Sequence, residues 1–307
     1  MAITITRASS IPIVSVIIVN FNGAAYLSRC VKSLLDQTES DFECFIVDNG
    51  STDGSLDTLP ALDGRFRILE MGDNLGFAAA NNHAAKLAVA DWLALLNPDA
   101  FARPDWLAQL LAARDLLPKT AMIGSTQYLA LEPGKFDGLG DEYHGFGLAW
   151  RAGYQHPIHP VHTRETFGPC GAGAMYDRKV FLALGGYDAA FFCYHEDVDL
   201  AYRMRLAGYV CVQSAEARID HISSGISGRA SEFAVFHGTR NRIWTFFKNT
   251  PLPLMLVLII PHIATCLALL FWSSIRAGRF GPTWRGTVAG FFTRPKTRTP
   301  KVKRVVS

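Results

Sequence analysis

Residues 93–101 read LALLNPDAF, an apolar run that stops abruptly at Asn97, Pro98 and Asp99. Asn-Pro and Pro-Asp are common turn dipeptides, so one interpretation is a strand that ends in an ordinary loop. A second interpretation places Asp99 at the carboxyl edge of a parallel sheet, where open α/β folds bind their ligands. The stretch alone does not distinguish the two interpretations, so the rest of the chain has to.

Apolar strands alternate with helical segments around this stretch. Buried strands are predicted at residues 14–19, 44–47, 66–69 and 92–96. Helical spacing of apolar residues follows the first strand, a helix of small residues follows the third, and Pro104 begins a helix after the fourth. Because such alternation produces right-handed βαβ units, we expect an α/β protein with a mostly parallel central sheet flanked by helices.

The regular alternation weakens after about residue 125. The Gly-rich, acidic stretch LEPGKFDGLGDEYHGFG, residues 131–147, is predicted to be a long loop. A helix is predicted at residues 197–206 and a short strand near residues 210–212. Residues 168–176, GPCGAGAMY, either border a ligand or form a tight strand crossing filled by small side chains.

Charge is distributed unevenly along the chain, whose net charge is +3. Residues 1–232 contain 18 Lys and Arg against 27 Asp and Glu, whereas residues 233–307 contain 12 Lys and Arg and no acid. An acidic body with a basic tail predicts a membrane-surface or nucleic-acid partner for the tail. The last dozen residues lack interleaved aromatic side chains, which disfavours nucleic acid.

Cysteine usage points to a reducing compartment. The six cysteines are scattered, with no CxxC pair and no histidine at zinc spacing, which predicts reduced thiols in the cytosol. The first twenty residues contain no apolar stretch long enough for a secretory signal, which agrees with that expectation.

Polar residues follow three of the first four predicted strands. Asn22 follows the first strand, Asp48 and Asp53 follow the second, and Asn97 and Asp99 follow the fourth. Because parallel strands end at one edge of the sheet, these residues are expected to converge on one crevice. Each alone also fits a cap or a turn, and the STDG segment is a good helix N-cap. The first strand is followed by NFNGAAYL rather than GxGxxG, which disfavours dinucleotide binding.

Five segments in order, VNFNG, FIVDNGSTDGS, NLGFAAANN, LLNPDA and HEDVDLAYRMRLAGY, resemble the family-two glycosyltransferases, which have the type-A nucleotide-sugar fold. The resemblance extends from about residue 14 to residue 245. The NPD form of the Asp-x-Asp motif and the NLGFAAANN segment are most similar to bacterial rhamnosyltransferases of cell-envelope polysaccharide assembly. The resemblance implies an enzyme that transfers a sugar from a nucleotide diphosphate with inversion.

The resemblance implies a divalent cation, Mg²⁺ or Mn²⁺, that stabilises the diphosphate leaving group. Asp99 matches the last acid of the Asp-x-Asp motif and is expected to hold the cation. Asn97 replaces the first acid, which reduces the negative charge around the cation and is expected to weaken its binding. His221, in RIDHISSG, is expected either to be a further metal ligand or to be structural.

The resemblance also implies residues for the nucleotide and for catalysis. Asp48 matches the residue that hydrogen-bonds a pyrimidine base, and Asn22 and Asn74 are expected to line the same pocket, with Asp53 as a further candidate. For catalysis, the residues are Asp197, which matches the general base, and Glu196 as the alternative. Acids in the first turn of a helix are also stabilised by the helix dipole, so a structural account exists beside the functional one.

Residues 252–272 form an apolar run about long enough to span a bilayer. Both flanks are basic, so the positive-inside rule favours a re-entrant or in-plane hairpin broken at Pro261, with Trp244, Trp272 and Trp284 near the headgroups. A buried core helix is the alternative. The basic end, RPKTRTPKVKRVVS, is expected to lie on anionic lipid.

Together these expectations divide the chain into a catalytic domain, residues 1–245, and a membrane-associated part with helices and a basic tail, residues 246–307. The protein is expected on the cytoplasmic face of the inner (plasma) membrane, peripheral or re-entrant, without a nucleic-acid partner. The favoured donor is dTDP-rhamnose and the expected acceptor a polyprenyl-diphosphate-linked glycan. The alternatives are a UDP-sugar donor and a catalytically silent protein that binds a sugar nucleotide, and the Glu196 and Asp197 pair counts against the silent protein.

Overall fold

The computed structural model describes residues 11–223, 231–276 and 278–293. The first part of the chain alternates strands and helices. These elements are β1 (Val14–Asn20), α1 (Leu27–Leu35), β2 (Phe42–Asp48), β3 (Phe66–Glu70), α2 (Phe77–Leu87), β4 (Trp92–Leu96), β5 (Ala100–Ala102) and α3 (Trp106–Ala113). Strand β1 pairs in parallel with β2 and β4, and β2 pairs in parallel with β3. The four predicted strands and the α/β class are confirmed.

The second part of the chain adds strands to the same sheet, forms a separate two-stranded hairpin and ends with β12. Its elements are β6 (Thr120–Leu129), β7 (Phe136–Gly138), β8 (Asp141–His144), β9 (Leu148–Arg151), β10 (Arg164–Thr166), β11 (Gly173–Asp177), α4 (Arg178–Ala183), α5 (Glu196–Leu206) and β12 (Val210–His221). The sheet order is β10-β12-β6-β11-β4-β1-β2-β3. Strand β12 is parallel to β6, whereas β11 is antiparallel to both β6 and β4.

The stretch predicted as one long loop, residues 131–147, contains β7 and β8, so that prediction is wrong. Strand β7 pairs with β6, and β8 forms an antiparallel hairpin with β9 outside the main sheet. These strands are three or four residues long. They are too short to show an alternating pattern among glycines, which is why the sequence did not reveal them.

Apolar side chains fill both faces of the sheet. Val16 and Ile18 of β1 belong to one core layer, and Ile17 and Val19 belong to the other. All seven residues of β1 and all seven of β2 are buried, as expected of parallel strands covered on both faces. The continuous apolar runs in the sequence therefore reflect a sheet sandwiched between helices.

Three helices follow the sheet: α6 (Glu232–Asn249), α7 (Leu252–Ser274) and α8 (Phe280–Phe292). Helix α7 runs antiparallel to α6, since the His262 ring stacks on Phe246 and Cys266 contacts Arg242. Helix α8 runs parallel to α6 and packs against it through glycines. The predicted boundary between residues 245 and 246 falls inside α6, so one helix belongs to both predicted parts.

Helix α7 continues through Pro261, so the predicted hairpin break at this proline is wrong. A proline removes one helical hydrogen bond, and the apolar residues on both sides maintain the helix around it. The chain instead reverses direction between the end of α7 and the start of α8, since α7 is antiparallel and α8 parallel to α6. Among the described residues, α7 is the one helix long and apolar enough to cross a membrane.

Helix α7 is largely exposed, which excludes the alternative of a buried core helix. Leu256, Val257 and Ile260 are 70–76% exposed. Trp272 is also exposed, as expected of a headgroup residue, and Trp284 on α8 is too.

Trp244 differs from the other two tryptophans. It is buried against Phe191 and donates a hydrogen bond to the Thr293 carbonyl, so its predicted place near the headgroups is wrong. Trp244 therefore packs in the core beneath α6. The basic segment at residues 294–307 lies outside the described residues.

Candidate active site

A cavity of about 770 Å³ opens at the carboxyl ends of β1, β2 and β4. Seven of the nine predicted site residues line it. They are Asn22, Asn74, Asn97, Asp99, Glu196, Asp197 and His221. Parallel strands present their carboxyl ends at one edge of the sheet, and this geometry collects residues that are far apart in sequence.

Asp48 and Asp53 do not line this cavity. The Asp48 carboxylate accepts hydrogen bonds from Asn20 Nδ2 at 2.9 Å and from the Ser51 N–H at 3.0 Å. The Asp53 carboxylate accepts from the Ala24 N–H at 2.8 Å. Both side chains hold loops, as the cap-and-turn interpretation predicts, and the base-binding role of Asp48 rests on the resemblance alone.

Three asparagines fix the loops that follow β1, β2 and β3 at the edge of the cavity. Asn22 has a φ of 52°, and its Oδ1 accepts from the Thr52 N–H at 2.9 Å. Asn49 Nδ2 donates to Asn74 Oδ1 at 2.9 Å. Asn49 also lines the cavity but was not predicted as a site residue. Its position directly after Asp48, at the end of a strand, was the available signal.

A buried group of three side chains forms around His221. The His221 Nδ1 lies 2.8 Å from Asp137 Oδ2, and its Nε2 lies 3.2 Å from Asp99 Oδ1. The pairing of His221 with Ala100 across β12 and β5 brings these residues together. The short strand predicted near residues 210–212 is longer than expected, since β12 extends to His221. The buried Asn97 Oδ1 beside Asp99 has no hydrogen-bond partner among the described residues.

Opposing effects determine the charges in this group. Burial by itself lowers the pKa of His221, but hydrogen bonds to Asp137 and Asp99 outweigh it and raise the pKa to about 9. Burial raises the pKa of Asp137, but the Arg151 charge and the His221 hydrogen bond outweigh it and lower the pKa to about 2. Asp137 is therefore ionised and holds His221 in one orientation.

The donor atoms in this group fit a divalent cation. A carboxylate, an amide oxygen and an imidazole are ligand types that Mg²⁺ or Mn²⁺ accepts. The unpartnered Asn97 Oδ1 marks a polar position next to Asp99 that the protein itself does not satisfy. His221 Nε2 faces Asp99 and can exchange its proton for a cation.

The two predicted catalytic acids begin α5 and line the cavity. The Asp197 carboxylate accepts hydrogen bonds from the Gly171 N–H at 3.0 Å and from the Val198 N–H at 2.8 Å. Burial raises the pKa of Asp197 despite these bonds. Burial raises the pKa of Glu196 as well, and the Asp197 charge raises it further. An acid with a raised pKa is better matched to proton transfer near neutral pH.

Asp141 and Cys170 lie beside Asp197, and the ligand atoms of the three residues are within 4.8 Å of one another. Burial raises the pKa of Cys170 to about 12, so its thiol stays protonated at neutral pH. A neutral thiol is a poor ligand for a hard cation. We therefore interpret Asp141 and Asp197 as carboxylic acids that share protons in a buried site.

Asp137, Asp141 and Arg151 are site residues that the sequence analysis missed. They lie on β7, β8 and β9, in or next to the stretch predicted as a loop. Two acids among closely spaced glycines were the available signal. The glycine-rich segment at residues 168–176 also contributes to the cavity through Cys170 and Gly171, as one of its two interpretations predicted.

The backbone is strained immediately before α5. Phe192, Tyr194 and His195 have φ values of 66°, 70° and 66°, a region that non-glycine residues rarely adopt. Asn241 Nδ2, on α6, lies 2.7–3.0 Å from three carbonyl oxygens of this loop. Such strain persists where surrounding contacts impose it, and it frequently marks functional sites.

Asp199 joins α5 to α6 beneath the cavity. Its buried carboxylate accepts from Arg203 Nε at 2.9 Å, Lys248 Nζ at 2.9 Å and Asn249 Nδ2 at 2.8 Å. Burial raises the pKa of Asp199, but the Arg203 and Lys248 charges outweigh it and lower the pKa. Asp199 is therefore structural, unlike the two acids that precede it on α5.

The sequence and the fold match known glycosyltransferases. The model of the family described as Glycosyl transferase family 2 matches residues 15–185, more than half of the chain. The chain therefore belongs to the family-2 glycosyltransferases.

Two curated relatives illustrate the range of similarity. An N-acetylglucosaminyl-diphospho-decaprenol L-rhamnosyltransferase of Mycobacterium tuberculosis is 27% identical over 259 residues, 73% of this chain and 81% of the relative. A validoxylamine A glucosyltransferase of Streptomyces hygroscopicus is 38% identical over 110 residues, 34% of this chain and 26% of the relative.

Two solved structures share the fold. GalNAc-T7 with UDP, GalNAc and Mn²⁺ has a TM-score of 0.62 at 17% identity, covering 77% of this chain and 49% of that chain. A mannosyltransferase from Pyrobaculum calidifontis, in complex with GDP-Man and Mn²⁺, has a TM-score of 0.57 at 14% identity, covering 92% and 76%. At these identities the matches establish the type-A fold alone.

Proposed function

We propose that this protein is a membrane-associated, inverting glycosyltransferase that moves rhamnose from dTDP-rhamnose to a lipid-linked glycan. One observation carries the proposal. The cavity at the carboxyl edge of the sheet is lined both by the group of Asp99 and His221 and by Asp197 and Glu196. A sugar-nucleotide diphosphate needs a site of the first kind, and an acceptor hydroxyl needs a base.

The donor would bind on the side of the cavity formed by β1, β2 and β4. Asn22, Asn49 and Asn74 would border the nucleotide. Asp99, His221 and Asn97 would hold a divalent cation, which when bound neutralises charge that develops on the diphosphate leaving group. Asp137 would keep the His221 ring oriented toward Asp99 through its hydrogen bond to Nδ1.

The acceptor hydroxyl would give its proton to the Asp197 carboxylate. Its oxygen then forms a bond to the anomeric carbon as the bond from that carbon to the diphosphate breaks, and this single displacement inverts the centre. Burial and the Asp197 charge raise the pKa of Glu196 and of Asp141, which favours their protonated forms and lowers the repulsion around an ionised Asp197. Trp150 and Phe233 also line the cavity and offer partly exposed aromatic faces to a sugar ring.

The mycobacterial relative supports rhamnose as the donor sugar and a polyprenyl-diphosphate acceptor, since its name states both kinds of substrate. A UDP-sugar donor remains the alternative in the same fold. The alternative of a catalytically silent binding protein is disfavoured, because the buried acids of α5 line the same cavity as the residues that fit a cation.

The C-terminal helices support membrane attachment in the plane of the bilayer surface. Helix α7 lies alongside α6, and α6 is tied to the catalytic domain through Asn241 and Lys248. The middle of α7 also contacts the catalytic domain, since His262 bonds to the Phe146 carbonyl, while its outer face exposes apolar residues such as Leu256 and Ile260. This is the arrangement of an interfacial helix rather than of a simple crossing. We propose the cytoplasmic face, where nucleotide sugars are available.

Release of nucleoside diphosphate by the purified protein tests the enzyme class and the donor. The panel contains dTDP-rhamnose, UDP-glucose, UDP-galactose, UDP-galactofuranose and GDP-mannose, each with a lipid extract and with or without EDTA. We expect release from dTDP-rhamnose that EDTA abolishes. Release from a UDP-sugar instead would overturn the donor, release that persists in EDTA would overturn the cation site, and silence with every donor would overturn the enzyme.

A further inference from the structure

Arg242 on α6 is a buried arginine that forms no ion pair with any described residue. It is 7% exposed, its Nη2 donates to Cys266 Sγ at 3.5 Å, and its Nη1 is buried without a described hydrogen-bond partner. Thiols are weak acceptors, so this contact leaves the charge uncompensated. The other buried cations behave differently, since Arg203 and Lys248 both pair with Asp199. An unpaired buried guanidinium is costly and therefore calls for an anion.

The Arg242 charge lies close enough to Tyr143 and His195 to affect the pKa of both, and Tyr143 in turn lies within reach of Thr250. Tyr143 Oη, His195 Nδ1 and Thr250 Oγ1 are buried without a hydrogen bond of standard geometry among the described residues. Burial and, to a smaller extent, the Arg242 charge lower the pKa of His195 to about 4, so this histidine is neutral. We refer to Tyr143, His195, Arg242 and Thr250 as the Arg242 cluster. It combines one positive charge with hydroxyl and imidazole groups, a composition suited to phosphate oxygens.

The Arg242 cluster lies between the cavity and the exposed apolar helix. His195 lines the cavity, whereas Cys266, which contacts Arg242, belongs to α7. Tyr143 lies on the β8–β9 hairpin, whose turn is tied to α7 because His262 Nδ1 donates to the Phe146 carbonyl at 2.9 Å. A molecule that reaches from the lipid surface to the cavity therefore passes this cluster.

We infer that the Arg242 cluster binds the diphosphate of a lipid-linked acceptor, with the lipid chain along α7 and the sugar in the cavity. This inference rests on the proposed function. The base side of the cavity contains Asp197, which is ionised in the proposed mechanism, and its carboxylate repels a diphosphate. The acceptor diphosphate accordingly needs a separate cationic site, and Arg242 supplies it one residue after the asparagine that holds the catalytic loop. Access requires α7 to shift outward.

Binding of farnesyl diphosphate to the full-length protein in detergent tests the inference without any transfer reaction. Calorimetry in EDTA compares wild type with Arg242→Met and with Arg276→Gln, which removes an exposed arginine at the end of α7. We expect Arg242→Met to weaken binding at least about tenfold and Arg276→Gln to bind as wild type does. Farnesol is expected to bind all three proteins equally weakly.

The melting temperature distinguishes a ligand site from a structural arginine. Without ligand, Arg242→Met is expected to melt at or above the wild-type temperature, because it no longer buries an unpaired charge. A lower melting temperature, equal farnesyl diphosphate affinity in wild type and Arg242→Met, or an equal loss in Arg276→Gln would each overturn the subsite. Inorganic pyrophosphate that binds as tightly as farnesyl diphosphate through Arg242 would overturn the lipid assignment. If farnesyl diphosphate binding depends on Arg242 but the protein transfers no sugar, the subsite is supported. In that case only the proposed function is overturned.

Discussion

The orientation of one histidine ring depends on two carboxylates that the chain brings together from distant positions. Asp137 fixes the Nδ1 side of His221, and Nε2 is thereby aimed at Asp99. A carboxylate behind a metal-binding histidine commonly sets the ring orientation and raises its basicity. In the proposed site, Asp137 would act through His221 as a positioning residue rather than as a ligand.

The Asp137→Asn variant is predicted to need roughly 10–100-fold more Mn²⁺ for half-maximal binding, because the amide holds the imidazole less firmly. Electron paramagnetic resonance of free Mn²⁺ measures this affinity without a sugar donor. The control is Asp220→Asn, next to His221 on β12, where the carboxylate pairs with Arg103 at the surface. Equal Mn²⁺ affinities in all three proteins would contradict the assignment.

At the scale of elements, the position of α5 depends on its buried link to α6. The buried Asp199 carboxylate pairs with both Arg203 and Lys248, and Asp188 supplies a second negative charge to Lys248. Removing one charge from a buried network leaves its partners uncompensated, which costs far more than loss of a surface pair. The catalytic helix and the helix that leads to α7 are therefore held together by charge as well as by packing.

The Asp199→Asn variant is predicted to lose about 3–5 kcal/mol of unfolding free energy, because the buried Arg203 loses its carboxylate partner and Lys248 keeps only Asp188. Asp188→Asn serves as the matched control, since Lys248 would keep Asp199 as a partner. Chemical denaturation measures both variants. A loss in Asp199→Asn no larger than in Asp188→Asn would contradict the structural role.

The same residue predicts how stability depends on pH. The pKa of Asp199 is lower in the folded protein than in the unfolded chain, where an aspartate titrates near about 3.9. The stability that Asp199 contributes is therefore present above the pKa of Asp199 in the unfolded chain. It is lost as the pH falls toward the pKa of Asp199 in the folded protein. We expect the stability difference between wild type and Asp199→Asn to be constant near neutral pH and to shrink below about pH 4. A difference that grows in acid would contradict this sign.

The elements also show what the sequence could and could not reveal. Strands β1, β2 and β4 were predictable because strands buried on both faces are continuous apolar runs. The hairpin of β8 and β9 was not, since four-residue strands rich in polar and aromatic side chains carry no clear period. For the site, the motifs identified Asp99 and Asp197, whereas Asp137 and Asp141 depend on how short strands fold back, a tertiary feature without a local pattern.

At the scale of the whole molecule, the apolar surface of α7 and α8 lies on the side of the protein that the Arg242 cluster adjoins. Exposed side chains on these two helices, including Phe271 and Phe292, are too numerous to be isolated surface residues. The prediction of a hairpin at Pro261 was wrong because the antiparallel packing of α7 on α6 is a tertiary feature that the local sequence does not show. We therefore predict that the exposed apolar face of α7 and α8 lies against the membrane.

Leu256→Glu combined with Ile260→Glu is predicted to release the protein from membranes, because two charges enter the face that contacts lipid. Flotation with anionic vesicles measures the bound fraction. Leu131→Glu changes a residue of equal exposure, 72%, on the catalytic domain and should bind as wild type does. Undiminished binding of the double variant would mean that another surface anchors the protein.

The central claim is that the cavity is a glycosyltransferase active site in which Asp197 is the base. The most direct measurement is the rate of sugar transfer by Asp197→Asn at saturating donor, alongside the dissociation constant of the nucleoside diphosphate product. The account predicts a rate lower by roughly 10²–10⁴-fold with unchanged nucleotide affinity, since an amide cannot accept the proton. Transfer at the wild-type rate would contradict the account and move the search for the base to Glu196.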